Sequence, residues 1–181
     1  INILAGAQLN ANGSQIGGRI LVGKDPLDPN PDPSAVESTS INIGNGASLT
    51  ADGASQAGAI VVAGAAGSEV NIDGRLSASS TNGDGGLVRI YGDAVNLLAN
   101  ARVSVNGGVG GGMAIIGRDP ASGEPGADSN SINMQAGSVI EANGGTGNGG
   151  TVLVFGAAES EVTIGGTISA TSRDANGGNV M

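Results

Sequence analysis

Apolar and polar residues alternate along most of this chain, in short bursts punctuated by glycine. The burst "GGRILVG" at 17–23 returns as "AGAIVVAG", "GGLVRIYG", "GGGMAIIG" and "GGTVLVFG", and a sixth time as "GGNVM" at 177–181. Aligned on an opening I/V-N/T-I/L/M, the chain divides into six units that start at Ile1, Ile41, Val70, Val95, Ile132 and Val162 and run for about 25 to 40 residues. Each unit reads as three short strands. The first is "INI", "VNL" or "VTI"; the second is "AQLNA", "ASLTA", "RLSA", "ARVSV", "SVIEA" or "TISA"; the third is the recurrent burst. Period-2 alternation through all three sends Ile1, Ile3, Leu9, Ala11, Ile20 and Val22 to one side in the first unit, and Ile41, Ile43, Leu49, Ala51, Ile60 and Val62 in the second.

No unit of this size can bury its apolar face alone, whereas a stack of them can. The expectation is therefore an all-β chain, a right-handed parallel β-helix of about six three-strand coils. Each coil adds about 4.8 Å along the axis, for a rod of roughly 29 Å, and the handedness follows the general preference of parallel crossovers. One outward position carries Asn2, Asn42, Asn71, Asn96, Asn133 and then Thr163, the pattern of an amide ladder running up the rod. "ANG" at 11–13, "ADG" at 51–53, "VNG" at 105–107 and "ANG" at 142–144 follow the second strand, where turns of positive φ are expected.

A longer period lies above the coil. Units 1 and 4 carry long Pro-rich connections, units 2 and 5 end in "GAAGSEV" and "GAAESEV", and units 3 and 6 are short. Unit starts three apart differ by 94, 91 and 92 residues. The chain thus reads as one continuous solenoid of two modules, 1–94 with coils starting at 1, 41 and 70, and 95–181 with coils starting at 95, 132 and 162. Its start without Met and its finish within a burst suggest a piece of a longer array.

Composition narrows the function. One Phe, one Tyr and no Trp in 181 residues argue against a conventional globular core, and 35 glycines without a three-residue period argue for turns rather than collagen. Sixteen acidic against seven basic residues give a net charge of −9, which repels nucleic acid and anionic lipid. No apolar run reaches the roughly 20 residues of a membrane-spanning helix. Without His or Cys, the common nucleophile and base pairings and most transition-metal sites are missing. The carboxylates Asp52, Asp73 and Glu141 do not recur at one outward site, so a polysaccharide-cleaving cleft is not evident. "NGS" at 12–14 has N-glycosylation acceptor spacing.

The phrases "INIGNGASLTADG", "GGLVRIYGD" and "GGTVLVFG" resemble the β-helical repeats of filamentous haemagglutinin-type exoproteins, and the resemblance extends over all six units. It implies an extracellular or cell-surface shaft exported by two-partner secretion, serving adhesion, biofilm formation or display of a distal effector, with a host receptor or glycan as partner. "NPDP" at 30–33 reads as part of a connection rather than as a secretion-domain motif of the NPNG type, an expectation that points to the repeat region.

Two groups of residues are candidate sites. Asp25, Asp28, Asp32 and Glu37 in the first long connection, with Asp119, Glu124 and Asp128 in the second, offer oxygen ligands that Ca2+ would accept; a solvated loop or a partner contact are the alternatives. No other cofactor is expected. The third strands break the usual alternation: their outward positions are Leu21, Val61, Arg89, Ile115, Leu153 and Met181, and the next outward position adds Tyr91 and Phe155. Such a stripe is covered by the Pro-rich connections, covered by a neighbouring subunit, or exposed. If a neighbour covers it, Leu21, Val61, Tyr91, Ile115, Leu153 and Phe155 form the interface, and identical subunits pack laterally as well as end to end.

Overall fold

The computed structural model describes residues 1–25, 37–117 and 129–181, and these form strands, turns and bends with no helix among them. The strands, numbered along the chain, assort into three parallel sheets of six. The first holds β1 (Asn2–Ile3), β4 (Ser40–Ile43), β7 (Glu69–Ile72), β10 (Ala94–Leu97), β13 (Ser131–Met134) and β16 (Glu161–Ile164). The second holds β2 (Gln8–Asn10), β5 (Ser48–Thr50), β8 (Arg75–Ser77), β11 (Arg102–Ser104), β14 (Val139–Glu141) and β17 (Thr167–Ser169). The third holds β3 (Arg19–Gly23), β6 (Ala59–Ala63), β9 (Leu87–Tyr91), β12 (Met113–Gly117), β15 (Thr151–Phe155) and β18 (Asn179–Val180). Hydrogen-bonded neighbours are always three strands apart in sequence, which makes every three strands one coil. The chain is a parallel β-helix of six coils, consistent with right-handed winding.

Registers match the alignment by unit. Ile3, Ile43, Ile72, Leu97, Met134 and Ile164 stack in the first sheet; Leu9, Leu49, Leu76, Val103, Ile140 and Ile168 stack in the second. The third contributes Ile20, Ile60, Val88, Ala114, Val152 and Val180. These columns meet on the axis in one core, where side chains of the middle coils are almost wholly buried. Each large aliphatic side chain buried there contributes about 1.5–3 kcal/mol. At the two edges of the stack the same columns are less covered: Ile164 and Val180 are exposed, and so is Ile1, an expected inward residue.

The glycine pairs before the third strands have a steric cause. A Cβ on Gly86, Gly112 or Gly150 would overlap the carbonyl oxygen of the matching glycine one coil below, respectively Gly58, Gly86 and Gly112. The same amides also close the corner within each coil, as Gly86 N donates to Ala78 O at 2.9 Å and Gly112 N to Val105 O at 2.7 Å. Only glycine lets a backbone lie this close to another on one side while pinching a corner on the other.

The turns after the second strand correct the expectation of positive φ. Gly13, Gly53, Gly107 and Gly144 are absent from the left-handed residues and instead form parallel bridges from coil to coil, with Ser80 and Ser172 in the same column. Three of the six left-handed glycines among the described residues sit one corner earlier: Gly6, Gly46 and Gly137, at φ of 77°, 75° and 96°, occupy the third place of tight turns between first and second strands.

Candidate functional site

Chemistry on a solenoid lies on outer faces and corners, because the interior is filled. On the first sheet's outer face, Asn42 Nδ2 donates to Asn2 Oδ1 at 2.9 Å, Asn71 Nδ2 to Asn42 Oδ1 at 3.0 Å and Asn96 Nδ2 to Asn71 Oδ1 at 2.8 Å. The parallel register places equal residues one above another, so Asn42 and Asn71 each use one donor and one acceptor along the axis. Asn133 stands in register over Asn96, but among the described residues no side-chain bond joins them.

A second ladder, unforeseen from the sequence, runs up the corner after the second strand. Asn12 Oδ1 accepts from Asp52 N at 2.6 Å, Asp52 Oδ1 from Ser79 N at 2.7 Å, Asn106 Oδ1 from Asn143 N at 2.7 Å and Asn143 Oδ1 from Thr171 N at 2.9 Å. Between Asp52 and Asn106 the position is Ser79, whose shorter side chain meets Ser104 Oγ at 2.9 Å instead. Asn and Asp recur here because a side-chain oxygen of this length reaches the backbone N–H of the next coil where strand pairing has lapsed. Their recurrence one residue before the bridging column was the available signal.

Four further carboxylates also bond to a neighbouring coil. Asp73 Oδ1 accepts from Asn100 N at 3.2 Å and from its Nδ2 at 3.1 Å, Asp84 Oδ1 from Gly110 N at 2.8 Å, and Asp93 Oδ1 from Asn130 Nδ2 at 2.6 Å. Glu141 Oε2 accepts from Asn106 Nδ2 at 3.2 Å. Each bond crosses from one coil to the next, so these acids brace the stack.

Of the calcium candidates, Asp28, Asp32, Asp119, Glu124 and Asp128 lie outside the described residues. Asp25 is buried and accepts from Arg19 Nη2 at 2.7 Å, while Glu37 lies 3.3 Å from Lys24 Nζ. Among the described residues no three acidic side chains gather as metal ligands would. An open groove of about 750 Å3 crosses three coils beside the glycine pairs, with Arg19 and Asp84 as its charged lining residues. Arg19 is turned to Asp25 and Asp84 to Gly110, so the groove holds no facing acid and base.

Of the three alternatives for the outward stripe of the third sheet, simple exposure does not hold for its middle coils. Val61, Ala63, Tyr91, Ile115 and Leu153 are buried in a second apolar cluster, with Leu87 and Phe155 packed against it. Ile115 is 0% exposed and Leu153 7%, whereas Leu21 at the edge is 42% exposed. A second subunit is therefore not required to remove these side chains from water. The expected cover by the Pro-rich connections falls on residues 26–36 and 118–128, outside the described residues.

Fold and surfaces together define a β-helical rod in which two ladders of polar side chains bond along the axis. Comparison with models of known families, with curated proteins and with solved structures found no match.

Proposed function

We propose that this chain is a segment of the shaft of a large secreted surface exoprotein of the filamentous haemagglutinin type, holding a binding region away from the cell. The observation that carries the reading is that six coils stack in register in all three sheets, while carboxylates and amides at the corners bond to the next coil. Such a surface serves length and stiffness rather than turnover, and a receptor or glycan would be recognised elsewhere in the parent protein. The sequence resemblance supplies the secreted setting and the adhesive role.

The competing reading is a fibre whose rods stack end to end and adhere sideways through the third sheet; the burial of Val61, Ile115 and Leu153 within one chain favours the shaft over it. Electron microscopy of the native full-length product from the cell surface tests the choice. Rods of one length with a distinct tip are expected. Filaments of indefinite length would overturn the shaft reading in favour of assembly.

A further inference from the structure

The sequence contains seven Asn-Gly pairs, at 12–13, 45–46, 82–83, 106–107, 143–144, 148–149 and 176–177. At such a pair the following backbone nitrogen can attack the side-chain amide carbon, because glycine has no Cβ to hinder the approach. The nitrogen gives up its proton, a five-membered succinimide closes, and ammonia leaves; water then opens the ring at either carbonyl to yield aspartate or isoaspartate. Water and a proton acceptor are the only co-reactants. A pair whose backbone N–H or side-chain oxygen is held in a hydrogen bond must first open locally.

Hydrogen bonds from coil to coil, most of them in the corner ladder, divide the seven pairs. At 12–13, Gly13 N donates to Asp52 O at 2.9 Å while Asn12 Oδ1 is held by Asp52 N. Pairs 106–107 and 143–144 are held likewise, with Gly107 N on Asn143 O and Gly144 N on Thr171 O. At 148–149, Gly149 N donates to Asn176 O at 2.9 Å and Asn148 Oδ1 accepts from Asn176 N at 3.3 Å. Pair 82–83 is held on one side only, through Gly83 N on Ser80 Oγ at 3.0 Å. At 45–46 and 176–177, by contrast, neither the glycine N–H nor the asparagine side chain has a hydrogen bond among the described residues, and both asparagines are exposed.

We infer that Asn45 and Asn176 are the sites at which the folded protein spontaneously converts asparagine to aspartate and isoaspartate, while the ladder asparagines are preserved. Asn45 lies in the turn between β4 and β5, so its conversion adds a negative charge, and in isoaspartate a backbone methylene, at a corner outside both ladders.

The test is incubation of the 181-residue chain at mildly alkaline pH, folded and in denaturant, followed by mass spectrometry of tryptic peptides. Arg19, Arg75, Arg89, Arg102, Arg118 and Arg173 put every pair on its own peptide except 143–144 and 148–149, which fragmentation separates. In the folded chain Asn45 and Asn176 are expected to convert roughly tenfold or more faster than Asn106 and Asn143, which require local opening. In denaturant the difference collapses. Conversion of Asn106 and Asn143 at the rate of Asn45 in the folded chain would overturn the inference. So would an Asn45 that survives folding conditions yet converts when unfolded.

Discussion

The outer faces of the first and third sheets are built on the same pleat and the same coil spacing, yet they solve opposite problems. On the first, the outward column is asparagine, half-exposed, and its amides bond up the rod. On the third, the outward column runs Leu21, Val61, Arg89, Ile115 and Leu153, and Val61, Ile115 and Leu153, flanked by Tyr91, are buried in a second apolar cluster. The difference teaches that outward and exposed are separate properties in a solenoid. A parallel sheet covered on both faces reads as a near-continuous apolar run, and "AIVVA" and "MAIIG" are such runs, whereas "SINI" and "AVNL" alternate.

Substitutions can break this contrast in descending order of effect. Ile115→Lys puts an ammonium into the second cluster and is expected to cost about 4 kcal/mol or to prevent folding, read by denaturant unfolding. At the corner, Asp52→Ala removes the acceptor for Ser79 N and Ser77 Oγ and should cost about 2 kcal/mol, while Asp52→Asn, which keeps an Oδ1, should recover most of it. Asn71→Ala breaks the amide ladder on both sides and is expected to cost about 1–2 kcal/mol. Asn133→Ala, at a rung with no amide bond, should stay within about 0.5 kcal/mol of the unaltered chain. An Asn133 loss equal to that of Asn71 would mean that the ladder continues upward.

Much of this was legible in the sequence because a repeat exposes its own register. Once Asn2, Asn42, Asn71 and Asn96 fall at one place in the alignment, strand pairing and the ladder follow together. The corner ladder was harder to see. Asn12 and Asp52 precede glycine, and Asn-Gly usually signals a left-handed turn, so the more common explanation hid their role as acceptors for the next coil. The glycine pairs were visible as a motif but not as a cause, since backbone proximity between coils is a property of the stack. The third-sheet stripe was recognised as anomalous from Val61, Ile115 and Leu153, but period 2 reports direction only.

The most direct test of a shaft that covers its own third sheet is a paired unfolding measurement on the isolated chain carrying Leu153→Lys or Leu21→Lys. Leu153 is 7% exposed and Leu21 42%, although both occupy the same column. The account predicts a loss of about 3 kcal/mol for Leu153→Lys and less than about 0.5 kcal/mol for Leu21→Lys. Equal tolerance of lysine at both positions would contradict it, and would return the stripe to the solvent and to a neighbouring chain.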